Sequence, residues 1–174
     1  MQEGLTVYTV GHSTRPIEDF VALLREFDVA LVADVRTVPQ SRRNPQFGQA
    51  SLRRALAAAG IDYRHLKRLG GLRRPRKDSI NTAWRNDAFR GYADYMQTPE
   101  FAAALAELCD LAAERRTAVM CAEAVPWRCH RSLIGDALLV RGADVVDIIG
   151  PGQAKPHALT RFARVDGATV TYPA

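Results

Sequence analysis

Two stretches of this chain are apolar almost without interruption: "VALVADV" (29–35) and "TAVMCA" (117–122). A strand with one wet face alternates polar and apolar residues. These do not, so they read as strands covered on both sides, the pattern of a mainly parallel sheet between helices. The segments around them supply the helices. Ile17, Phe20, Leu24 and Phe27 recur at helical spacing, with Pro16 expected in the first helical turn and Glu18 and Asp19 complementing the helix dipole. Ser51 is expected to cap a helix carrying Leu52, Ala55, Leu56 and Ala59 up to Gly60. A further helix is expected over Phe89–Met96. Another starts at Thr98-Pro99-Glu100 with Phe101, Leu105, Leu108 and Ala112 on one face, and the last runs over 130–141 up to Gly142.

Further strands are read in "TVYTV" (6–10), "IDYRHL" (61–66) and "DVVDII" (144–149). The alternation predicts an α/β fold: one domain of three layers around a mainly parallel sheet of about five strands. Its core spans about 5–150, with 151–174 as an extension expected to hold a short helix near His157 and an edge strand at "ATVTY". The length of 174 residues suits one core, and 47% hydrophobic with 25% charged residues is a globular composition. "MQEGLTVYTV" lacks a basic leader and the apolar runs are too short to cross a bilayer, so no membrane partner is expected. Three cysteines, an odd number, argue against a disulfide framework and for a reducing cytoplasm.

In such sheets ligands bind beyond the carboxyl ends of the strands. Polar and reactive residues collect there. His12 and Ser13 follow the first strand, Asp34 and Arg36 end the second, His65 ends the third, and Cys121 and Glu123 end the fourth. The densest stretch is "CAEAVPWRCHR" (121–131), which holds two of the three cysteines, one of the four histidines, Glu123, Arg128 and Arg131. A thiol at Cys121 facing His130 across the turn is a nucleophile–base pair; a buried small hydrophobe is the competing description. Cys129 lies at a helix start, where free amides and Arg128 and Arg131 favour an anion.

No metal or cofactor is expected. C-x7-C-H is not a standard zinc spacing, and neither a Walker motif nor G-x-G-x-x-G follows the first strand. The spacing from Cys121 to Arg128 is also not the C-x5-R of phosphatase loops. Cys109 reads as helix core. Asp34 either orients a ligand or pairs with Arg36. His65 and His157 read equally as structural histidines, and Trp84, Trp127, Tyr92 and Tyr95 as core or stacking surfaces.

The chain carries +5, modest but inviting to anions. Residues 67–86 form a long irregular stretch, functional or mobile by its length. Seven cations and no acid lie between Arg64 and Lys77: Arg64, Lys67, Arg68, Arg73, Arg74, Arg76 and Lys77. A solvated loop explains such a run, and so does a phosphate-neutralising surface with Trp84 stacking a base.

"TVGHS" (9–13), "DVR" with Pro39, Ser41 and Phe47, "YRHLKRLGG" (63–71), "FRGYADYM" (89–96), "MCAE" (120–123) with Pro126 and "CHR" (129–131), and "KPH" (155–157) together resemble the family catalogued as Domain of Unknown Function 488. The resemblance runs from residue 9 to about 157 and implies a single α/β domain with no settled reaction. One departure is Asp147, where the pattern has a histidine.

The leading expectation is a cytoplasmic enzyme, a cysteine-dependent hydrolase or transferase, acting on a phosphorylated or nucleotide-like anion. Cys121 is the expected nucleophile, His130 its base, and Glu123 the residue that orients His130 or shuttles its proton. The expected substrate contacts are His12, Ser13, Asp34, Arg36, Ser41, Cys129 and Arg131. The alternative is a nucleic-acid-binding or DNA-repair-associated module without chemistry of its own, using the basic 64–77 loop.

Overall fold

The computed structural model describes residues 4–174. Five parallel strands form the sheet centre: β1 (Thr6–Gly11), β2 (Leu31–Asp34), β3 (Asp62–His65), β4 (Thr117–Cys121) and β5 (Asp144–Gly150). A sixth, β6 (Gln153–Pro156), adds antiparallel to β5, giving the order β3-β2-β4-β1-β5-β6. Helices α1 (Ile17–Glu26) and α2 (Gln49–Ala58) pack on one face with Phe20, Leu24, Leu52 and Leu56 fully buried. Each such side chain contributes about 1.5–3 kcal/mol of burial. Helices α3 (Asp87–Tyr95), α4 (Pro99–Glu114) and α5 (Arg131–Val140) cover the other face through Tyr92, Phe101, Leu105, Leu133 and Leu138.

Strand alternation sorts the side chains between these layers. In β4, Ala118 and Met120 face α1 and α2, while Val119 and Cys121 face α3 to α5. The same parity puts Thr9 of β1 beneath the α5 layer, where it meets Arg131.

Several boundaries differ from expectation. The five expected strands are the five parallel ones, and an antiparallel edge strand makes the sheet six. No helix forms near His157; the turn after Gly150 reverses the chain into β6, with Gly152 in the left-handed region at φ 66°. The tail strand is β8 (Thr169–Thr171), which pairs with β7 (Arg164–Asp166) in a separate hairpin rather than on the central sheet. Helix α2 starts at Gln49, because Leu52 donates to the Gly48 carbonyl, so Ser51 lies inside the first turn. Pro16 is the N-cap of α1 rather than its first turn.

The long 67–86 stretch is pinned from beneath. The buried carboxylate of Asp94 on α3 accepts from the Arg76 amide (2.8 Å), Ser79 Oγ (2.6 Å) and Asn81 Nδ2 (2.8 Å). Three bonds to one side chain hold the loop against the helix layer.

The connections fix where a ligand belongs. From β1 and β2 the chain leaves through α1 and α2 on one face; from β3 and β4 it leaves through α3, α4 and α5 on the other. Strands β1 and β4 are neighbours whose connections depart to opposite sides, and the crevice of an open α/β sheet lies at such a point.

Candidate functional site

At that point the β1–β4 ladder continues past the strands. His12 N donates to Cys121 O and Ser13 N to Ala122 O, both at 3.0 Å. Ser13 takes φ 51°, a left-handed backbone uncommon outside glycine. Gly11 is required beneath the turn, since a Cβ there would overlap the Glu123 carbonyl oxygen. That carbonyl accepts from Arg131 Nη2 (3.1 Å) and from Cys121 Sγ (3.6 Å) when the thiol is protonated.

Cys121 and Cys129 are 1% and 8% exposed. The two thiols line the same hollow and influence each other's ionisation, and Cys129 Sγ accepts the Arg131 amide at 3.4 Å. Burial alone would raise the Cys121 pKa. The neighbouring Cys129 thiol and the Arg131 charge outweigh it and lower the pKa to about 7. The Cys129 thiol moves the other way, because Cys121 is its neighbour and it is itself buried.

His130 does not pair with Cys121 as the sequence suggested. Its Nε2 lies 3.0 Å from Val35 O, which assigns the proton to that nitrogen and leaves Nδ1 as the lone pair, 3.4 Å from Cys129 Sγ. Burial lowers its pKa to about 4, so the ring is neutral. Gly71 allows the ring its position; a Cβ there would stand 2.6 Å from Nδ1. The Glu123 carboxylate does not orient His130. It is exposed and makes no hydrogen bond or ion pair among the described residues, so Val35 O does that work.

The α5 N-terminus is not an open anion cradle. Its amides are taken: Arg131 by Cys129 Sγ, Ser132 by Cys129 O (3.1 Å) and Leu133 by His130 O (2.9 Å). Arg131 itself is 0% exposed and points inward, giving Nη1 to Thr9 Oγ1 at 3.0 Å. Its Nε has no partner among the described residues. From Thr9 the network runs to Asp147 (2.6 Å), His157 (2.8 Å) and Asp136 (2.9 Å), which also accepts from Tyr172 Oη (2.8 Å). Burial alone would lower the His157 pKa, but Asp136 and Asp147 raise it to about 9, making it an imidazolium. Gly135 lets the ring lie against α5. Sequence reasoning missed Thr9 and Asp136 altogether. His157, read as a possible structural histidine, and Asp147, read as a departure from the resembled pattern, were the signals present.

Asp34 pairs with Arg36 rather than reaching toward a ligand. Arg36 gives Nε to Oδ1 (2.9 Å) and Nη2 to Oδ2 (2.8 Å), Tyr63 Oη donates to Oδ2 (2.6 Å), and both charges are buried. Arg36 Nη1 is held by Phe47 O (2.8 Å), and its carbonyl lies 2.7 Å from His65 Nε2. His12 stacks on Phe47 with centroids 4.2 Å apart, and burial together with Arg36 keeps its pKa low.

Two hollows flank the 122–124 turn. The first, about 470 Å³, is lined by Cys121, Cys129, His130, Arg36, Phe89 and Glu123 among others. The second, about 490 Å³, holds His12, Ser13, Ser41, Arg42 and Arg43. Ala122, Glu123 and Arg128 line both. Arg42, Arg43 and Arg128 are exposed and Glu123 is the sole carboxylate of the two linings, so the cleft is electropositive. Of the predicted contacts, Arg36 and Cys129 reach the first hollow, and His12, Ser13 and Ser41 the second. Asp34 and Arg131 line neither; Arg42, Arg43 and Arg128 were missed as site residues.

In the basic loop, Arg68 pairs with Glu107 (3.1 Å), Arg73 lies 3.6 Å over the Tyr95 ring, and Arg76 pairs with Asp78 (2.9 Å). Arg64, Lys67, Arg74 and Lys77 are exposed without an ion pair among the described residues. Trp84 is no free stacking platform; it packs among Phe89, Phe162 and Tyr172. Cys109 is buried within α4. Among the described residues no group of three or more His, Cys, Asp or Glu is placed to hold a metal ion, and no helix is long and apolar enough to cross a membrane.

Fold and cleft thus define an α/β protein with a buried thiol pair at the sheet's switch point. A family profile described as Domain of unknown function DUF488 matches residues 16–138, most of the chain, and the protein belongs to that family. No curated protein and no solved structure matches it.

Proposed function

We propose that this protein is an enzyme in which Cys121 attacks a phosphorylated or nucleotide-like anionic substrate, as a hydrolase or transferase. One observation carries the reading: a thiol with a lowered pKa lines a hollow at the β1–β4 crevice, beside a cleft rimmed by Arg42, Arg43 and Arg128. The arginines draw the anion in and hold its charge. The Cys121 thiolate forms a bond to the electrophilic centre as the leaving group departs. Arg131 and the Cys129 thiol stabilise the thiolate before attack, and neutral His130 holds Cys129 in place. Glu123, unpaired at the lip of both hollows, is positioned to pass a proton to the leaving group or take one from water. A reducing, cytoplasmic setting keeps both thiols available.

The test is turnover of a panel of phosphomonoesters, phosphodiesters and nucleotides by the native protein and by Cys121→Ser. Turnover that disappears in Cys121→Ser supports the reading; turnover that survives the substitution sinks it. The nucleic-acid alternative rests on Arg64, Lys67, Arg74 and Lys77. It is separated by DNA binding at two salt concentrations, because phosphate contacts weaken steeply with salt.

A further inference from the structure

Cys121 ends β4 and Cys129 precedes the N-cap of α5, yet both thiols line the same hollow and each shifts the other's ionisation. Their surroundings differ. Cys121 has the Glu123 carbonyl and the Arg131 charge nearby. Cys129 Sγ has the Arg131 amide and His130 Nδ1, each at 3.4 Å. One sulfur is placed to ionise and the other to keep its proton next to a nitrogen lone pair. The turn between them, residues 122–125, is exposed at Ala122 and Glu123 and leads into a short 3-10 turn at Pro126–Arg128 rather than a regular element.

We propose that Cys121 and Cys129 form a reversible disulfide, with Cys121 oxidised by a hydroperoxide and Cys129 acting as the resolving thiol. This rests on the reading of Cys121 as the reactive thiol of the site. In the first step the Cys121 thiolate attacks one oxygen of hydrogen peroxide. An S–O bond forms, the O–O bond breaks, the sulfur is oxidised to sulfenic acid and hydroxide leaves. Hydroxide takes a proton from solvent in the hollow. In the second step the Cys129 sulfur attacks Cys121 while its proton is relayed by His130 Nδ1 to the departing hydroxyl in one concerted event, so that no free imidazolium forms. The S–S bond forms, the S–O bond breaks, and the hydroxyl leaves as water with the relayed proton. Two thiols and one peroxide become one disulfide and two waters. An external dithiol reverses the reaction by exchange. His130 thereby serves Cys129 rather than Cys121. Oxidation consumes the nucleophile, so peroxide switches the site off and a dithiol restores it.

Trypsin cleaves after Arg128, so the disulfide would tie peptide 117–128 to peptide 129–131, while Cys109 lies in a third peptide. The native full chain is treated with equimolar hydrogen peroxide near neutral pH, blocked with N-ethylmaleimide and digested without reductant. The expected result is one cross-linked pair at monomer mass as the main form of both peptides, with Cys109 still blocked and dithiothreitol restoring both thiols. In His130→Asn, Cys121 sulfenic acid should accumulate and be trapped by dimedone. A sulfenic or sulfinic Cys121 in the native chain without the cross-link would overturn the resolving role and leave the reactive thiol standing. Two thiols that oxidise no faster than Cys109 would overturn both, and a cross-link through Cys109 or between chains would overturn the pairing.

Discussion

The protein buries two arginines at the carboxyl edge of its sheet and uses them differently. Arg36 meets its counter-charge directly, in a two-pronged bond to Asp34. Arg131 meets only neutral acceptors, the Thr9 hydroxyl and the Glu123 carbonyl, and the Asp147 carboxylate stands one hydrogen bond further on. A guanidinium neutralised at contact shapes the backbone around it. One balanced at a distance keeps a field, and here that field falls on Cys121. In the proposed function, activation of Cys121 therefore draws on Cys129 and on the arginine that lines no hollow.

The largest effect expected comes from separating Arg36 from its partner. Asp34→Ala leaves a buried, unpaired guanidinium and should cost about 3–5 kcal/mol in denaturant unfolding. The Cys121 titration should hardly move. A large rise in the thiol pKa in that variant would mean that the two arginines do not act separately.

Next comes pH. The His157 pKa is raised to about 9, so its stabilising contribution is complete below its unfolded value and lost as pH rises through 9. The loss should be on the order of 3 kcal/mol between pH 6.5 and 10. Across that range the native protein should lose this much stability relative to His157→Asn, so that the difference between their unfolding free energies shrinks as pH rises through 9, on top of the opposite contribution of Cys121 that both share. A difference that stays constant across that range places the titration elsewhere.

Arg131→Gln keeps hydrogen-bonding capacity but removes the charge. The Cys121 pKa should rise by a unit or more, slowing alkylation near neutral pH by about tenfold. Unchanged alkylation would assign the lowered pKa to Cys129 alone. Smallest is Tyr63→Phe, which takes one of several hydrogen bonds from Asp34 and should cost about 1 kcal/mol with thiol reactivity intact.

Much of this was legible in the sequence because its causes are local. Apolar runs and helical spacing located the strands β1 to β5 and all five helices to within a few residues. Period-two geometry puts Asp34 and Arg36 on one side of the chain, which is why their pairing was among the readings available. The polar network from Arg131 to Asp136 was hidden because its members are 122 and 138 residues apart at Arg131–Thr9 and Thr9–Asp147. Single-sequence patterning says which way a strand residue faces, not which polar atom from another element meets it. His130 was misassigned for a related reason. Adjacency to Cys129 looked incidental, but the Val35 carbonyl, set by the β2 backbone, decides the ring's orientation and turns its lone pair toward that thiol. The turn at Gly150 and the pairing of β6 were lost because an exposed edge strand carries no apolar signature.

The most direct test is the rate of Cys121 alkylation by iodoacetamide as a function of pH, read by mass spectrometry with buried Cys109 as the internal reference. The thiolate fraction should rise with a midpoint at about 7. A midpoint at or above the ordinary thiol value of about 8.5 would contradict an activated thiol at the β1–β4 crevice.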